Sequence, residues 1–362
     1  MNSRVEIETV SEEERFQDAM LVGVSRTFAL TIPQLPEPVR RTVTNAYLLC
    51  RIADTIEDDP GVTTEDKQMF HGWLVELLSG RDDAAAFVQE LSSRVTRESS
   101  PEERDLVRHT ERVISMTRRL DVNARAILQH RVAVMCRGMP VFQRHPPRNG
   151  LRNLAVMDQY CYYVAGVVGQ MLTELFCDYS EQIRAVREGL FELSASFGQG
   201  LQMTNILKDV WEDLDRGVCW LPRDIFDAHG YDLSKLRPDG NRDAFTAGLR
   251  DLIGVAHGHL RNALSYTLLI PAREAGIRKF CLWSLVLAVL TLRRIHNDPD
   301  FNAGTQVKVS RRAVGQTVRF TSAVCRNNVA IRALFAWTAQ GLPRARKVST
   351  YQELERAVFP TP

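Results

Sequence analysis

Asp54-Thr55-Ile56-Glu57-Asp58 and Asp209-Val210-Trp211-Glu212-Asp213 have the same spacing, D-x-x-E-D, at two distant points of the chain. In an α-helix, positions i, i+3 and i+4 lie on one face, so each copy directs three carboxylates the same way. Carboxylates gathered in one low-dielectric site repel each other and raise their own pKa values. Mg²⁺, which binds carboxylate and phosphate oxygens, relieves that repulsion. The predicted metal ligands are therefore Asp54, Glu57, Asp58, Asp209, Glu212 and Asp213.

Each acidic motif continues a polar stripe along its own helix. The stripes consist of Tyr47, Arg51 and Asp54 in the first helix and of Gln202, Asn205 and Asp209 in the second. The neighbouring positions are apolar, whereas a solvated face would mix lysine and glutamate. In a chain that is 25% charged, one such motif would be a weak signal. Two motifs with matching polar stripes favour a ligand site over a solvated helix face.

The ligand that these motifs predict is a diphosphate, which metals bridge to the carboxylates and cationic side chains help to neutralise. The candidate cations are Arg26, Arg51 and Lys208. Departure of a diphosphate from carbon leaves a carbocation that water would quench. The rest of the site is therefore expected to be dry and apolar.

The segment Tyr160–Gly169 supplies a wall of that kind. If it is α-helical, Tyr160, Val164 and Val168 share one face, and Ala165 with Gly169 forms a small-residue surface that allows close packing. Tyr160 offers its ring to a cation or its hydroxyl to a proton transfer. The alternative is a core tyrosine with a satisfied hydroxyl.

The composition indicates a folded soluble protein. The chain has 362 residues, of which 44% are hydrophobic, and a net charge of +2, which does not suggest nucleic-acid binding. Seven cysteines without a C-x-x-C pair predict reduced core residues in a cytoplasmic protein. Met1–Arg15 lacks the apolar region of a signal peptide. Phe280–Leu292 is shorter than the roughly 20 residues of a spanning helix, so we expect a buried helix and no transmembrane anchor.

Helical periodicity runs through nearly the whole chain, and no run shows convincing strand periodicity. The sequence predicts one all-α domain over residues 1–362, in which 1–15 and 341–362 are peripheral. The predicted helices are Val39–Asp58, Lys67–Leu78, a helix opened by Pro101, Val122–Phe142, Asn149–Phe176, Ser180–Glu212, Arg242–Leu269, Ala272–Asn297, Arg311–Ala339 and Tyr351–Val358.

Four segments together resemble the squalene/phytoene synthase family, in order and spacing, from about residue 20 to residue 320. They are Ser25-Arg26-Thr27-Phe28, Asp54–Asp59, Tyr160–Gly166 and Gln202–Asp209. The resemblance implies an all-α isoprenoid synthase fold with a central cavity. It also implies head-to-head joining of two farnesyl diphosphates through presqualene diphosphate, then reduction to squalene by NADPH.

Within the family, Glu57 favours the squalene-forming branch over the phytoene-forming one, and Arg278-Lys279-Phe280-Cys281 resembles a segment of that branch. Val307-Lys308-Val309-Ser310-Arg311 resembles the segment linked to NADPH, which implies roles for Lys308 and Arg311. The resemblance also implies that Asn205 lies near a metal. Two positions depart from the family pattern: Ser310 replaces a basic residue, and Lys208 replaces an arginine that would form a bidentate fork.

Two alternative functions and the oligomeric state stay open. The same coupling without reduction would yield dehydrosqualene, hydroxysqualene or presqualene diphosphate, and Ser310 keeps this hypothesis alive. A helical binding protein without catalysis is a second alternative. The sequence leaves the oligomeric state, monomer or weak dimer, undecided.

Two weaker signals have ordinary explanations. His257-Gly258-His259 is a poor metal site because two histidines at i and i+2 diverge on a helix. Arg344-Ala345-Arg346-Lys347 is a solvated chain end or, alternatively, a peripheral contact with anionic lipid.

Overall fold

The computed structural model is all-α, as predicted, and within the residues it describes no strand is present. An isolated parallel bridge joins Leu151 to Pro222. The described residues are 12–81, 83–143, 147–237 and 242–345. The predicted helix Tyr351–Val358 lies outside them. Contacts divide the chain into two compact units, Met1–Val132 and Ala133–Pro362.

The first unit is helical throughout its described part, apart from short turns. Its helices are α1 (Glu12–Val24), α2 (Phe28–Thr31), α3 (Glu37–Asp58), α4 (Thr64–Leu78), α5 (Ala84–Arg94), α6 (Pro101–Arg108) and α7 (Thr110–Arg119). A 3₁₀ turn, Ile32–Gln34, follows α2, and α8 (Val122–Gln143) includes residues of both units.

Helix α3 carries the first acidic motif; it begins at Glu37, two residues before the predicted Val39, and ends at the predicted Asp58. Pro38 occupies the first turn, where a helix needs no amide donor. The helix ends at Asp58, because Asp59 is extended and Pro60 follows it. Its large aliphatic side chains Leu48, Leu49, Ile52 and Ile56 are fully buried. Each contributes about 1.5–3 kcal/mol by leaving water, so the motif sits on a rigid helix.

The second unit contains the second acidic motif and the tyrosine-rich segment. Its helices are α9 (Leu154–Cys161), α10 (Val167–Tyr179), α11 (Glu181–Arg184), α12 (Arg187–Lys208), α13 (Val210–Asp215), α14 (Arg223–Asp227), α15 (Arg242–Leu269), α16 (Ala275–Asn297), α17 (Gly304–Val307), α18 (Arg311–Val324) and α19 (Asn328–Thr338). A π-helical turn, Tyr162–Gly166, joins α9 to α10, and a 3₁₀ turn covers Leu233–Lys235.

Three predicted helices are wrong in their continuity. The pattern from 149 to 176 is interrupted by the π turn, where the Val167 amide donates to the carbonyl of Tyr162, five residues back. The pattern from 180 to 212 divides into α11, α12 and α13. The pattern from 311 to 339 divides because Asn327 accepts bonds from two amides and starts α19.

Close packing between the tyrosine-rich segment and α12 confirms the predicted small-residue surface. A Cβ added at Gly169 would lie 2.0 Å from the carbonyl oxygen of Ser194. A Cβ added at Gly198 would lie 2.0 Å from the carbonyl oxygen of Ala165. Glycine at 169 and 198 therefore lets the two backbones approach to a distance that a side chain would prevent.

Helix α16 is apolar and long enough to cross a membrane, but 72% of its most apolar window is buried inside the protein. The predicted buried helix is confirmed. Its Arg278 is 2% exposed and donates to the carbonyls of Leu268, Ile270 and Cys325. These bonds satisfy carbonyls at the ends of α15 and α18, so Arg278 is part of the core. All seven cysteines are also buried, as predicted.

Candidate functional site

The first acidic motif occupies the last turn of α3, and its three carboxylates differ in exposure. Asp54 keeps 31% of its side-chain surface exposed, Asp58 is exposed, and Glu57 is buried. The charge of Glu57 acts on Lys67 of α4. Burial lowers the pKa of Lys67, and the charges of the nearby acids oppose that change. Asp54 and Asp58 are thus the members of the motif that can reach a ligand in solvent.

Asp54 is crowded by other acids. Removal from water raises its pKa, the neighbouring Arg51 lowers it, and the charges of Asp58 and Glu103 raise it again. The net result is a pKa of about 7 in the metal-free protein. A carboxylate with this environment gains free energy when a divalent cation replaces its proton, which fits the predicted metal.

Arg51 connects the motif to a second helix. Its guanidinium lies 3.7 Å from Asp54 Oδ2 and forms a salt bridge with Glu103 of α6. Burial opposes the charge of Arg51, but the two acids outweigh burial and raise the pKa of the guanidinium. Glu103 is held in turn by a capping box, in which it accepts from the Ser100 amide at 2.8 Å.

Asp59, which completes the acidic run, has a structural role. It is 1% exposed and accepts hydrogen bonds from Thr96, from the Ser99 hydroxyl at 2.6 Å and from the Gly61 amide at 2.8 Å. These bonds tie the end of α3 to the segment that precedes α6. Asp58 is therefore the last candidate ligand of the first motif.

The polar stripe continues upstream from Arg51 to Tyr47. The Tyr47 hydroxyl donates to the carbonyl of Val24 at 3.3 Å, and burial raises the Tyr47 pKa. The contact holds the turn that contains Ser25 and Arg26 against α3. Arg26 itself is exposed in that turn, where it is accessible to an anionic ligand.

The second acidic motif spans a break between two helices. α12 ends at Lys208, and Asp209 lies between α12 and α13 with φ −99° and ψ 18°. Its amide still donates to the carbonyl oxygen of Asn205, and the Asp213 amide donates to the carbonyl oxygen of Asp209 at 2.9 Å. One turn of helical spacing is therefore preserved, although the prediction of an unbroken helix is wrong.

The carboxylates of the second motif each have a different partner. Lys208 Nζ lies 3.0 Å from Asp209 Oδ2, and Arg216 forms a salt bridge with the buried Asp213. Burial raises the pKa of Asp209, Lys208 lowers it, and Glu212 raises it again. The two remaining stripe residues differ in exposure: Gln202 is half-buried, and Asn205 is exposed.

Glu212 is oriented by a residue that the sequence analysis missed. The Gly304 amide donates to Glu212 Oε1 at 2.8 Å, while Oε2 is buried and has no hydrogen-bond partner among the described residues. A Cβ at position 304 would lie 2.9 Å from Asp209 Oδ1 and 2.9 Å from the carbonyl oxygen of Lys208. Only glycine allows this approach, and it leaves one oxygen of Glu212 for a cation.

The segment around Gly304 is anchored next to the motif by Trp211, whose indole nitrogen donates to the carbonyl of Phe301 at 2.8 Å.

The same segment continues to the residues implied in NADPH binding. Lys308 and Arg311 are exposed. Neither forms an ion pair with another described residue, so both suit a phosphate. Ser310 caps α18 by accepting from the Ala313 amide at 3.3 Å, which gives this departure from the family a structural reason.

Tyr160 lies in an aromatic cluster rather than alone. Its ring stacks on Trp220 with centroids 3.9 Å apart and planes 6° apart, and Phe142 meets it edge-on at 5.4 Å. Tyr160 is buried, whereas Val164 and Val168 are half-buried. The stack fixes the orientation of the ring, and the sequence around Trp220 gave no signal of this contact.

The residues present fit a cation that takes oxygen ligands from more than one source. Among the described side chains, no three His, Cys, Asp or Glu residues form a group that could hold a metal ion. Mg²⁺ commonly uses one or two carboxylates and completes its shell with water and phosphate oxygens. Asp54 with Asp58, and Asp209 with Glu212, supply such partial sets.

Each histidine of the pair at 257 and 259 has a protein partner of its own. His257 Nδ1 lies 2.8 Å from the carbonyl oxygen of Pro343, and His259 Nδ1 lies 2.7 Å from the Ser196 hydroxyl. The two rings diverge, as expected for this spacing.

Comparison with known proteins identifies the family. Residues 21–313 match the squalene/phytoene synthase family. The chain belongs to that family. It is 28% identical over 296 residues to a squalene synthase of Candida albicans, covering 79% of this chain and 62% of the relative. It is 29% identical over 324 residues to a squalene synthase of Botryococcus braunii, covering 87% of this chain and 66% of the relative.

Solved structures share the fold. A complex of TcSQS with the ligand BPH1237 has a TM-score of 0.72 at 24% identity and covers 96% of this chain and 97% of that chain. A dehydrosqualene synthase in complex with a ligand has a TM-score of 0.62 at 19% identity, covering 86% and 96%. The chain spans less than two thirds of the length of the curated relatives described above.

Proposed function

We propose that this member of the squalene/phytoene synthase family is a Mg²⁺-dependent prenyltransferase that joins two farnesyl diphosphates head to head. The first step would release one diphosphate and give presqualene diphosphate. Loss of the second diphosphate, rearrangement and hydride transfer from NADPH to the resulting cation would then give squalene. The observation that carries the proposal is the pairing of crowded carboxylates with a cation in both motifs: Arg51 lies beside Asp54, and Lys208 lies beside Asp209. This combination suits a metal-bound diphosphate.

Magnesium, when bound, would neutralise the diphosphate as it leaves. Asp54 with Asp58, and Asp209 with Glu212, would each hold magnesium, while Arg51 and Lys208 would bind phosphate oxygens directly. Glu57 and Asp213, which are buried, would position the exposed metal ligands of their own motifs. Arg26 and Asn205 are exposed and would complete the contacts with the diphosphate.

Tyr160 would face the allylic cation that ionisation leaves. Its stack on Trp220 keeps the ring orientation constant, so the face that Trp220 does not cover would stabilise a cation without reorganising. Val164 and Val168 would exclude water from the same side. Tyr47 and Gln202 would line the polar ends of the site, and Lys308 with Arg311 would bind NADPH phosphate.

The test is to incubate the purified protein with farnesyl diphosphate and Mg²⁺, with and without NADPH, and to identify the extracted lipids by mass. Squalene that appears only with NADPH supports the whole proposal. A C30 product that forms independently of NADPH retains the coupling and rejects the reduction. No product, together with no Mg²⁺-dependent thermal stabilisation by a farnesyl thiodiphosphate analogue, would reject catalysis and favour a binding protein.

Coupling without reduction is the second candidate, because Ser310 caps a helix where a cation would otherwise stand. Ser310→Arg distinguishes the two. If the reductive step is limited by this position, the variant should increase the yield of squalene at low NADPH concentration. Coupling measured without NADPH should stay constant.

A further inference from the structure

The outer face of α19 is apolar although it is exposed to solvent. Val329 is 78% exposed and Trp337 is 63% exposed, and Ala333 and Ala336 are exposed on the same side. Arg332 is the charged residue of this face. The inner face packs into the protein through other residues: Ile331, Phe335 and Thr338. A helix that is apolar on both sides is expected to be covered on both sides.

Helix α18, which packs against α19, extends this surface. Phe320 is 58% exposed, and Arg312 and Arg319 lie exposed beside it. The opposite side of the helix is buried through Thr317 and Thr321. The exposed faces of α18 and α19, called here the α18–α19 face, combine two large aromatic side chains with arginines.

The charge of this part of the chain is entirely positive. Residues 301–345 contain no aspartate or glutamate, and their seven cationic residues are Lys308, Arg311, Arg312, Arg319, Arg326, Arg332 and Arg344. None of the seven forms an ion pair with a described carboxylate. The whole chain has a net charge of only +2, so the segment concentrates positive charge that the rest of the protein balances.

We propose that the α18–α19 face binds the surface of a membrane that contains anionic lipid. Trp337 and Phe320 would insert at the boundary between headgroups and acyl chains, and the arginines would contact lipid phosphates. Arg344, which is exposed in the predicted basic cluster, would add to this contact. Its neighbours Arg346 and Lys347 lie outside the described residues.

Charge decides between lipid and the other partners that could cover this face. A second copy of the chain placed symmetrically would bring two acid-free, cationic surfaces together, and like charges would repel. The remaining C-terminal segment, residues 346–362, has three cationic and two acidic residues, so it offers no net negative charge: Arg346, Lys347, Arg356, Glu353 and Glu355. An anionic membrane supplies both the negative charge and the apolar layer.

The experiment uses the full-length protein with vesicles of phosphatidylcholine alone or with about 30% phosphatidylglycerol, at low and high salt, without substrate or metal. We expect flotation with the anionic vesicles only, decreasing as salt rises. Arg319→Glu with Arg332→Glu should weaken the partition by about thirtyfold. Phe320→Ser with Trp337→Ser should weaken it by about tenfold.

Matched control variants lie on α1. Val22 is 68% exposed and Arg15 is exposed, so Val22→Ser with Arg15→Glu makes the same kinds of change elsewhere, apolar to serine and arginine to glutamate, and should leave the partition unchanged. Circular dichroism checks that each variant is folded. Because the assay contains no farnesyl diphosphate, its outcome is independent of the proposed activity.

Three results would overturn the proposal. The first is no flotation of the wild-type protein with anionic vesicles at low salt. The second is equal losses for the α18–α19 and α1 variants. The third is a concentration-dependent dimer that Trp337→Ser dissociates in the absence of vesicle binding, since the face would then belong to a second copy.

Discussion

The two acidic motifs have the same five-residue spacing, yet the surrounding chain supports them differently. The first lies within one continuous helix, and its Arg51 forms a salt bridge with Glu103 of another helix. The second lies across a helix break, and a backbone amide, that of Gly304, orients its glutamate. The first is therefore tuned by charge and the second by shape. The shared D-x-x-E-D pattern does not imply that the two motifs respond alike to substitution.

The largest expected effect tests whether both motifs are required. Asp54→Asn and Asp213→Asn should each reduce turnover of farnesyl diphosphate by at least about 100-fold, because the first removes a proposed Mg²⁺ ligand and the second removes a buried carboxylate that supports the proposed ligands beside it. Product formation measured under saturating Mg²⁺ checks this, with helicity measured by circular dichroism. Full turnover in either variant would remove that motif from the site.

Gly304→Ala tests whether shape controls the second motif. The added methyl group would contact Asp209 and Lys208, displace the amide from Glu212, and weaken Mg²⁺ binding by about 10- to 100-fold. Thermal stabilisation by Mg²⁺ with a thiodiphosphate analogue measures this without catalysis. Gly315→Ala is the matched control, because a Cβ there meets nothing within 4 Å. Equal results for both glycines would reject the role of Gly304.

Glu103→Gln tests whether charge controls the first motif. Arg51 would lose one of its two acidic partners and compete more strongly for Asp54, so the apparent affinity for Mg²⁺ should fall about fivefold. At the second motif, Arg216 is 58% exposed, and Arg216→Gln should change the affinity by less than about twofold. Titration of both variants with Mg²⁺ compares them, and the reverse order would contradict this assignment.

The smallest expected effect is the pH dependence of stability. The pKa of Asp54 rises from 3.8 to about 7 on folding, so the folded metal-free protein holds a proton that the unfolded chain releases. Stability from this group is complete below pH 3.8 and is lost as pH rises towards 7. Asp54→Asn should therefore raise the melting temperature at pH 8 by a few degrees, ~2–4 °C, and have little effect at pH 4. A constant difference at both pH values would contradict the raised pKa.

Sequence patterns predicted the helices of the fold better than the contacts of the site. The bounds of α15 agree with the prediction because its periodicity is local information. Glu103 was recognisable as the third residue of a helix that Ser100 caps, but its contact with Arg51 joins residues 52 positions apart. Gly304 gave no signal at all, since its role depends on the fold that brings it to Glu212. The family resemblance named the motifs, but it did not reveal how each is supported.

The π turn at Tyr162–Gly166 has a consequence for how this segment can change in evolution. The eight residue-to-residue steps from 160 to 168 make about the two turns that seven steps make in an α-helix, which brings Tyr160 and Val168 nearly into line. Deleting one residue from the turn would restore regular winding and leave the parts before and after it in nearly the same relative orientation, whereas the same deletion from a regular α-helix would rotate them by about 100°. The segment thus tolerates the loss of one residue better than a regular helix does, and a correct alignment with a relative that lacks the turn needs a gap inside a helix.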